Sequence, residues 1–254
     1  MIKFFIFLFF LILSKNIFST TLGETEISAD DGIEVFQKEK YYFLKNNVVI
    51  NSENLNLKAN IVKAYFDKDL YDIIRLYAEG NVTLNAKKRN LNAKGDILEF
   101  FLESEKIYIS GKNSELILNQ VSMNSDGLVE VNNLKGTFLL NGKNSELKNE
   151  DILVKGEKIE GEFKSINNVN EITKLDVQDN EISNIKTDKI DMYSLKALYD
   201  KKNDIIELME KVKVIRDNEI ITGDYGFVDI KNNSYKVTSN DSKKVKVLIS
   251  KNDE

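Results

Sequence analysis

The chain runs to 254 residues without a single cysteine, histidine, proline or tryptophan. Without cysteine there is no thiol nucleophile, no thiolate metal site and no disulfide. Without histidine the commonest general base and the commonest imidazole metal ligand are gone. Without proline no donor is lost from a strand ladder, so long unbroken pairing is open to the chain. Proline is then equally missing as a device for blunting sheet edges. An excess of positive charge is lacking too. The 36 Lys and Arg stand against 41 Asp and Glu, a net charge of −5, which leaves no basic footprint for nucleic acid.

Long apolar runs are scarce. The clear one is Phe4 to Leu13, which follows Lys3 and ends at Ser14-Lys15-Asn16, with a small residue at Ser19. That order is the order of a secretory signal peptide, with cleavage expected after Ser19. The run is shorter than the roughly 20 apolar residues a membrane-spanning helix needs. The alternative is an uncleaved inner-membrane anchor. With no cysteine at the cleavage region, a lipoprotein anchor is excluded. The mature chain, residues 20–250 with a frayed tail at 251–254, is expected to be exported and soluble.

What the chain does have is alternation. Leu55, Leu57, Ala59 and Ile61 share one phase, and Val62, Ala64 and Phe66 the opposite one, a switch that predicts a bulge or corner. Ile74, Leu76 and Ala78 share parity with Val82, Leu84 and Ala86, and Ile206 and Leu208 share parity with Val212 and Val214. Residues suited to positive φ recur between such runs, at Asn46-Asn47, Gly80-Asn81, Asp126-Gly127, Asn141-Gly142, Asn167-Asn168 and Asn232-Asn233. Helix is weakly supported, even over Ser194–Glu210.

The alternation comes in copies. Lys63-Ala64-Tyr65-Phe66-Asp67-Lys68, Asp72-Ile73-Ile74, Gly80-Asn81-Val82 and Gly95-Asp96 return as Lys196-Ala197-Leu198-Tyr199-Asp200-Lys201, Asp204-Ile205-Ile206, Lys211-Val212 and Gly223-Asp224. Gly-Lys-Asn-Ser-Glu-Leu occurs at both Gly111–Leu116 and Gly142–Leu147. Repeats point to an architecture of stacked units. With no linker composition between copies, the expectation is one continuous all-β stack of short antiparallel strands, with a soft boundary near Val121–Ser125. Two apolar faces of such a stack close either on an ordinary core or on a trough suited to acyl chains. Carboxylate groupings at Asp30-Asp31-Gly32, Glu99/Glu103/Glu105 and Asp188/Asp191 lack any ligand-loop pattern and read as solvated faces and turns.

Ile27-Ser28-Ala29-Asp30, Asn46-Asn47-Val48-Val49-Ile50 and Leu57-Lys58-Ala59-Asn60 resemble the opening of the LptA/OstA-like family of periplasmic lipopolysaccharide-transport proteins. Ala197, Tyr199-Asp200, Leu208, Val212, Gly223-Asp224, Ser239 and Lys243-Lys244-Val245 resemble its closing part. The segment from Leu98 to Ile190 matches less clearly and reads as extra strands. Two family positions differ: the glycine before the Val strand, kept at Gly80, is Lys211 in the second copy, and a usual arginine is Lys244.

The resemblance implies an elongated splayed β-jellyroll without catalytic residues, cofactor or metal. It implies a carrier that bridges inner and outer membranes, holding lipopolysaccharide acyl chains between two sheets. Implied partners are lipopolysaccharide, other β-jellyroll transport subunits and further copies of the chain joined head to tail; nucleic acid is not among them. Candidate lipid-lining residues are Ile33, Val35, Ile50, Leu57, Ile61, Phe66, Leu76, Leu84, Ile97, Phe100, Leu208, Val214, Tyr225, Phe227 and Val247. The other readings are a membrane-anchored LptC-type subunit with the same fold, a structural β-filament or adhesin, and a polysaccharide-acting β-solenoid enzyme.

Overall fold

The computed structural model describes residues 25–68, 72–167, 169–240 and 244–249. The proposed signal segment and the tail at 251–254 lie outside them. Eighteen strands follow in chain order: β1 (Glu26–Ser28), β2 (Ile33–Phe36), β3 (Tyr41–Asn51), β4 (Leu55–Phe66), β5 (Ile73–Ala86), β6 (Leu91–Phe101), β7 (Lys106–Ser110), β8 (Ser114–Leu118) and β9 (Val121–Ser125). Then come β10 (Leu128–Asn132), β11 (Thr137–Lys148), β12 (Leu153–Ile166), β13 (Val169–Lys186), β14 (Asp191–Asp200), β15 (Ile205–Arg216), β16 (Glu219–Asp229), β17 (Ser234–Thr238) and β18 (Lys246–Ile249). Every pairing is antiparallel, and all eighteen strands form one hydrogen-bonded sheet system. β9 pairs with both β8 and β11.

The pairings resolve this sheet into bent rungs. Ten long strands, β3 to β6 and β11 to β16, each cross a corner unbroken. The pairs β1–β2, β7–β8, β9–β10 and β17–β18 make the same crossing in two pieces, so fourteen rungs stack along the molecule. At a strand spacing of 4.7–4.9 Å the stack is about 60 Å long. One arm of the rungs contains β2, β7, β10 and β17; the other contains β1, β8, β9 and β18. The fold is all-β, an elongated jellyroll-like stack.

The corners are built from residues that tolerate positive φ. Registers shift between Lys45 and Val48, Glu79 and Val82, and Met209 and Val212, where Asn46-Asn47, Gly80-Asn81 and Glu210-Lys211 all have φ between 48° and 80°. The shift between Lys58 and Ile61 coincides with the change of phase read from β4. The Gly-Lys-Asn-Ser-Glu-Leu copies are two such corners. Asn113 and Asn144 are left-handed at φ 56° and 55°. Ser114 Oγ donates to the Gly111 carbonyl at 2.9 Å, and Ser145 Oγ to the Gly142 carbonyl at 2.7 Å. The Glu then points outward, and Leu116 and Leu147 are fully buried.

Small residues line the inside of the corner because the arms converge there. Ser114 pairs with Ser125, Ser145 with Gly156, Ser183 with Ser194, and Val212 with Gly223. A Cβ on Gly95 would lie 2.6 Å from Ile109 Cγ1, and one on Gly223 2.6 Å from Val237 Cγ1, so branched side chains of the facing arm fill the space. Beyond the corner the inward strips of both arms form one apolar cluster that includes Leu44, Leu57, Val62, Leu98, Ile107 and Ile159. Burying each such side chain stabilises by about 1.5–3 kcal/mol.

The outer face of the first rungs is held by cross-strand pairs. Phe36, Tyr41, Tyr65, Arg75, Phe101 and Lys106 occupy successive partner positions in one row. Phe36 stacks on Tyr41 at 4.7 Å, and the Arg75 guanidinium lies 4.7 Å from the Tyr65 ring and 5.3 Å from Phe101.

Candidate lipid groove and its mouth

Directly opposed residues of an antiparallel pair share a face, so register fixes which candidates point inward. Ile50, Leu57, Phe66, Leu76, Leu84, Phe100, Leu208 and Val214 are buried in the interior. Ile33 pairs with Leu44, Val35 with Tyr42 and Val247 with Ile221, on the inward strip of the first and last rungs. They are nevertheless 46%, 45% and 51% exposed, because no further rung covers them.

The remaining four candidates lie on the outer face and do not line the interior. Ile61 pairs with Lys45 and Glu79, and Ile97 with Glu79 and Ser110, one residue out of phase with the buried Val62 and Leu98. Tyr225 pairs with Met209 and donates its hydroxyl to Glu207 at 3.1 Å, while Phe227 pairs with Glu207 and Lys236. The inward residues of β16 here are Gly226 and Val228. A Cβ on Gly226 would meet Val212 Cγ1 at 3.0 Å and Leu208 Cδ1 at 3.2 Å. A crowded interior at that rung selects glycine, and the flanking aromatics, which look like the core in sequence, fall outside. The interior also holds residues that sequence reading passed over, such as Leu44, Ile109, Leu140 and Ile159.

Opposite the corner, the free ends of the arms form a mouth with two unlike lips. The lip of the β2-containing arm carries exposed apolar side chains at its turns: Leu134, Ile166, Val169 and Ile230. The other lip is polar, with turns at Asn51–Asn54, Lys87–Asn90, Asn119-Gln120, Asn149–Asp151 and Thr187–Lys189. Just outside that lip Asn51, Asn56, Asn85 and Asn92 hold successive partner positions, and Asn56 and Asn85 donate to the carboxamide oxygens of Asn51 and Asn92.

Mid-stack, the lips touch. Gln120 Nε2 donates to the Asn170 carbonyl at 2.9 Å, and the Asn170 amide returns a bond to Gln120 Oε1 at 3.2 Å. Asn170 Nδ2 lies 3.4 Å from the Leu118 carbonyl. Toward the C-terminal end the lips part over a cleft of about 380 Å³ whose floor includes Ile152, Ile172, Ile190, Met192, Tyr199 and Ile206. Its rim carries Asp151, Glu171, Asp188, Lys189, Lys201 and Asp204. Burial and then the carboxylates of Asp204, Glu171, Asp151 and Asp200 push the Tyr199 hydroxyl up to about 12.

Five of the grouped carboxylates, Asp30, Asp31, Glu99, Glu105 and Asp191, are structural ties. Asp31 and Asp30 accept from Asn46 and Asn47 at the β1–β2 corner. Glu99 pairs with Arg75, and Glu105 with Arg89 at 3.2 Å and Asn133 at 2.5 Å. Asp191 accepts from Asn184 and Tyr193. Among the described residues no group of three or more acids or other ligating side chains is placed to hold a metal ion.

Residues 26–129 match the family model described as LptA/(LptD N-terminal domain) LPS transport protein. Among curated proteins no sequence matches. Solved structures that match include that of LptH, the LptA homologous periplasmic component of the conserved lipopolysaccharide transport device from Pseudomonas aeruginosa. It is 10% identical, covers 90% of this chain and 96% of that one, and has a TM-score of 0.23. Over the span from β1 into β10 that the family model covers, this chain is similar to the LptA and LptD N-terminal-domain family of lipopolysaccharide transport proteins.

Proposed function

We propose that the chain is a non-enzymatic periplasmic carrier that moves lipopolysaccharide from the inner toward the outer membrane. The observation that carries this reading is the continuous inward apolar strip on both arms of all the rungs, ending uncovered at Ile33 and Val35 on one side and Val247 on the other. In this conformation the arms close on a packed interior, so acyl chains enter by parting them at the mouth. Each CH2 moved from water into that strip contributes about 0.8 kcal/mol, which over several chains offsets the separation of the arms. The eleven inward candidates are the proposed acyl contacts.

Among the described residues both ends also present strand edges with no further partner, β1–β2, paired only with β3, at one end and β17–β18, paired only with β16, at the other. Such edges template further strands. Head-to-tail pairing with another copy, or with jellyroll subunits at either membrane, joins the apolar strips into one path. The leader up to Ser19 is removed on export, which the mass of the mature protein checks. Retention of the leader would favour the LptC-type anchored reading instead.

Depletion of the chain tests the transport role. Newly made lipopolysaccharide should remain with the inner membrane as the chain is lost. Undiminished arrival at the cell surface after complete depletion would overturn the role.

A further inference from the structure

The polar lip holds a depression of about 650 Å³ beside the point where the lips touch. Three successive turns of one arm build it, supplying Asn85, Asn90 and Asn92, then Asn119 and Gln120, then Glu150, and Val169 closes it from across the mouth. The turns are tied together, because the Asn119 amide donates to the Asn90 carbonyl at 2.9 Å. Asn90 and Asn119 are both left-handed, at φ 46° and 53°, so their carboxamides are set by the backbone.

Two amide oxygens here are unused. Asn85 lines the depression, and its Oδ1 is buried with no hydrogen-bond partner among the described residues. Asn170 Oδ1, on a residue 1% exposed, is in the same condition in the adjoining hollow of about 330 Å³ that Gln120 and Glu150 also line. A buried acceptor left unpaired is costly, and in a native protein it calls for a donor from elsewhere. Carboxamides offer a donor pair and an acceptor together, which matches the hydroxyl groups of a sugar, each of which donates and accepts. The one ammonium, Lys87, and the one carboxylate, Glu150, leave no net charge in the site.

We propose that this depression is a saccharide-binding cradle. It takes a neutral, hydroxyl-rich sugar unit, and as the Asn85 carboxamide turns to meet it a sugar hydroxyl donates to Asn85 Oδ1. This deepens the carrier reading and rests on it: the acyl part of a glycolipid enters over the apolar lip while its sugar settles on the amide lip. The contrast between the two lips sets the orientation of the amphiphile in the mouth.

The test uses the mature protein, isotopically labelled, and lipid-free oligosaccharide released from lipopolysaccharide by deacylation. The side-chain amide resonances of Asn85, Asn92, Asn119 and Gln120 should move saturably as oligosaccharide is added. Asn85→Leu, which keeps the volume and removes the acceptor, should weaken binding about fivefold, the loss of one net hydrogen bond. Far-ultraviolet circular dichroism and melting of the variant establish that it is folded, and Asn92→Ser serves as a second probe of the same site. Saturating oligosaccharide that moves none of these amides, or unchanged affinity in both folded variants, overturns the cradle. A photo-crosslinker at Leu76 separates the two readings, since lipid adducts there in a protein indifferent to oligosaccharide would leave the carrier standing and the cradle refuted. Saturable, Asn85-dependent oligosaccharide binding without lipid adducts would refute the carrier and keep the cradle.

Discussion

Tyr199 shows how one side chain reports on the mouth. It lies half-buried in the cleft with four carboxylates around it, and its ionisation is held up to about 12 from the ordinary 10.0. A group whose folded value is raised contributes stability that is whole below the unfolded value. That contribution is lost as pH climbs through the window from 10.0 to about 12. Ultraviolet difference titration of the folded protein should therefore show a late tyrosinate step that Tyr199→Phe removes. If the late step survives in the variant, the cleft does not bury Tyr199 as described. Residue-level reading of the sequence found the inward face for Leu57, Leu76 and Leu208, which are buried, because apolar and polar residues alternate cleanly there. It failed at Tyr225 and Phe227, because the inward residue between them is Gly226, which carries no apolar signal. It failed at Ile61 and Ile97 because each stands next to a corner where the phase changes. A one-residue slip there exchanges the faces.

At the scale of the rung, the two long repeats are the same element used twice. β4 to β6 and β14 to β16 cross the corner in the same order, with Gly80-Asn81 in the first answered by Glu210-Lys211 in the second. The glycine missing from the second copy is thus replaced at Glu210, with Lys211 standing where Asn81 does. Glu210 and Lys211 keep φ of 64° and 54°, which costs an L-residue roughly 1–2 kcal/mol each. Restoring the first copy's residues with Glu210→Gly and Lys211→Asn should raise stability by about 1 kcal/mol, after allowing for the freedom glycine gains when unfolded. The midpoint of urea unfolding checks this, and an unchanged or lower midpoint would mean that the corner's strain is relieved by something else. Repeats and turn residues made the rung legible in the sequence. The register that joins one rung to the next was not, because it is fixed by pairs far apart in the chain, such as Glu146 with Asn124.

At the scale of the whole molecule, the described residues form a stack packed around an apolar interior, with both end rungs uncovered and an unequal pair of lips. Ends of this kind account for the three inward candidates that remain exposed. Val35→Lys or Val247→Lys places an ammonium at the proposed joint while leaving the packed middle rungs untouched. Sedimentation at high protein concentration should show wild-type chains associating and either variant remaining monomeric. Association that persists in both variants would place the contact elsewhere on the surface. The latch between Gln120 and Asn170, linking turns fifty residues apart, divides the mouth into an N-terminal stretch and the C-terminal cleft. Nothing in either local sequence announces it, since it depends on two lips meeting only after the whole stack has formed.

The central claim is that lipid occupies the inside of the rungs and not their outside. Leu208 and Phe227 test it most directly. They belong to adjacent strands, β15 and β16, and face opposite sides of the same pair of rungs. A photo-crosslinker placed at each in turn, in cells making lipopolysaccharide, should give lipid adducts at Leu208 and none at Phe227. Equal adducts at both positions, or adducts at Phe227 alone, would contradict the account.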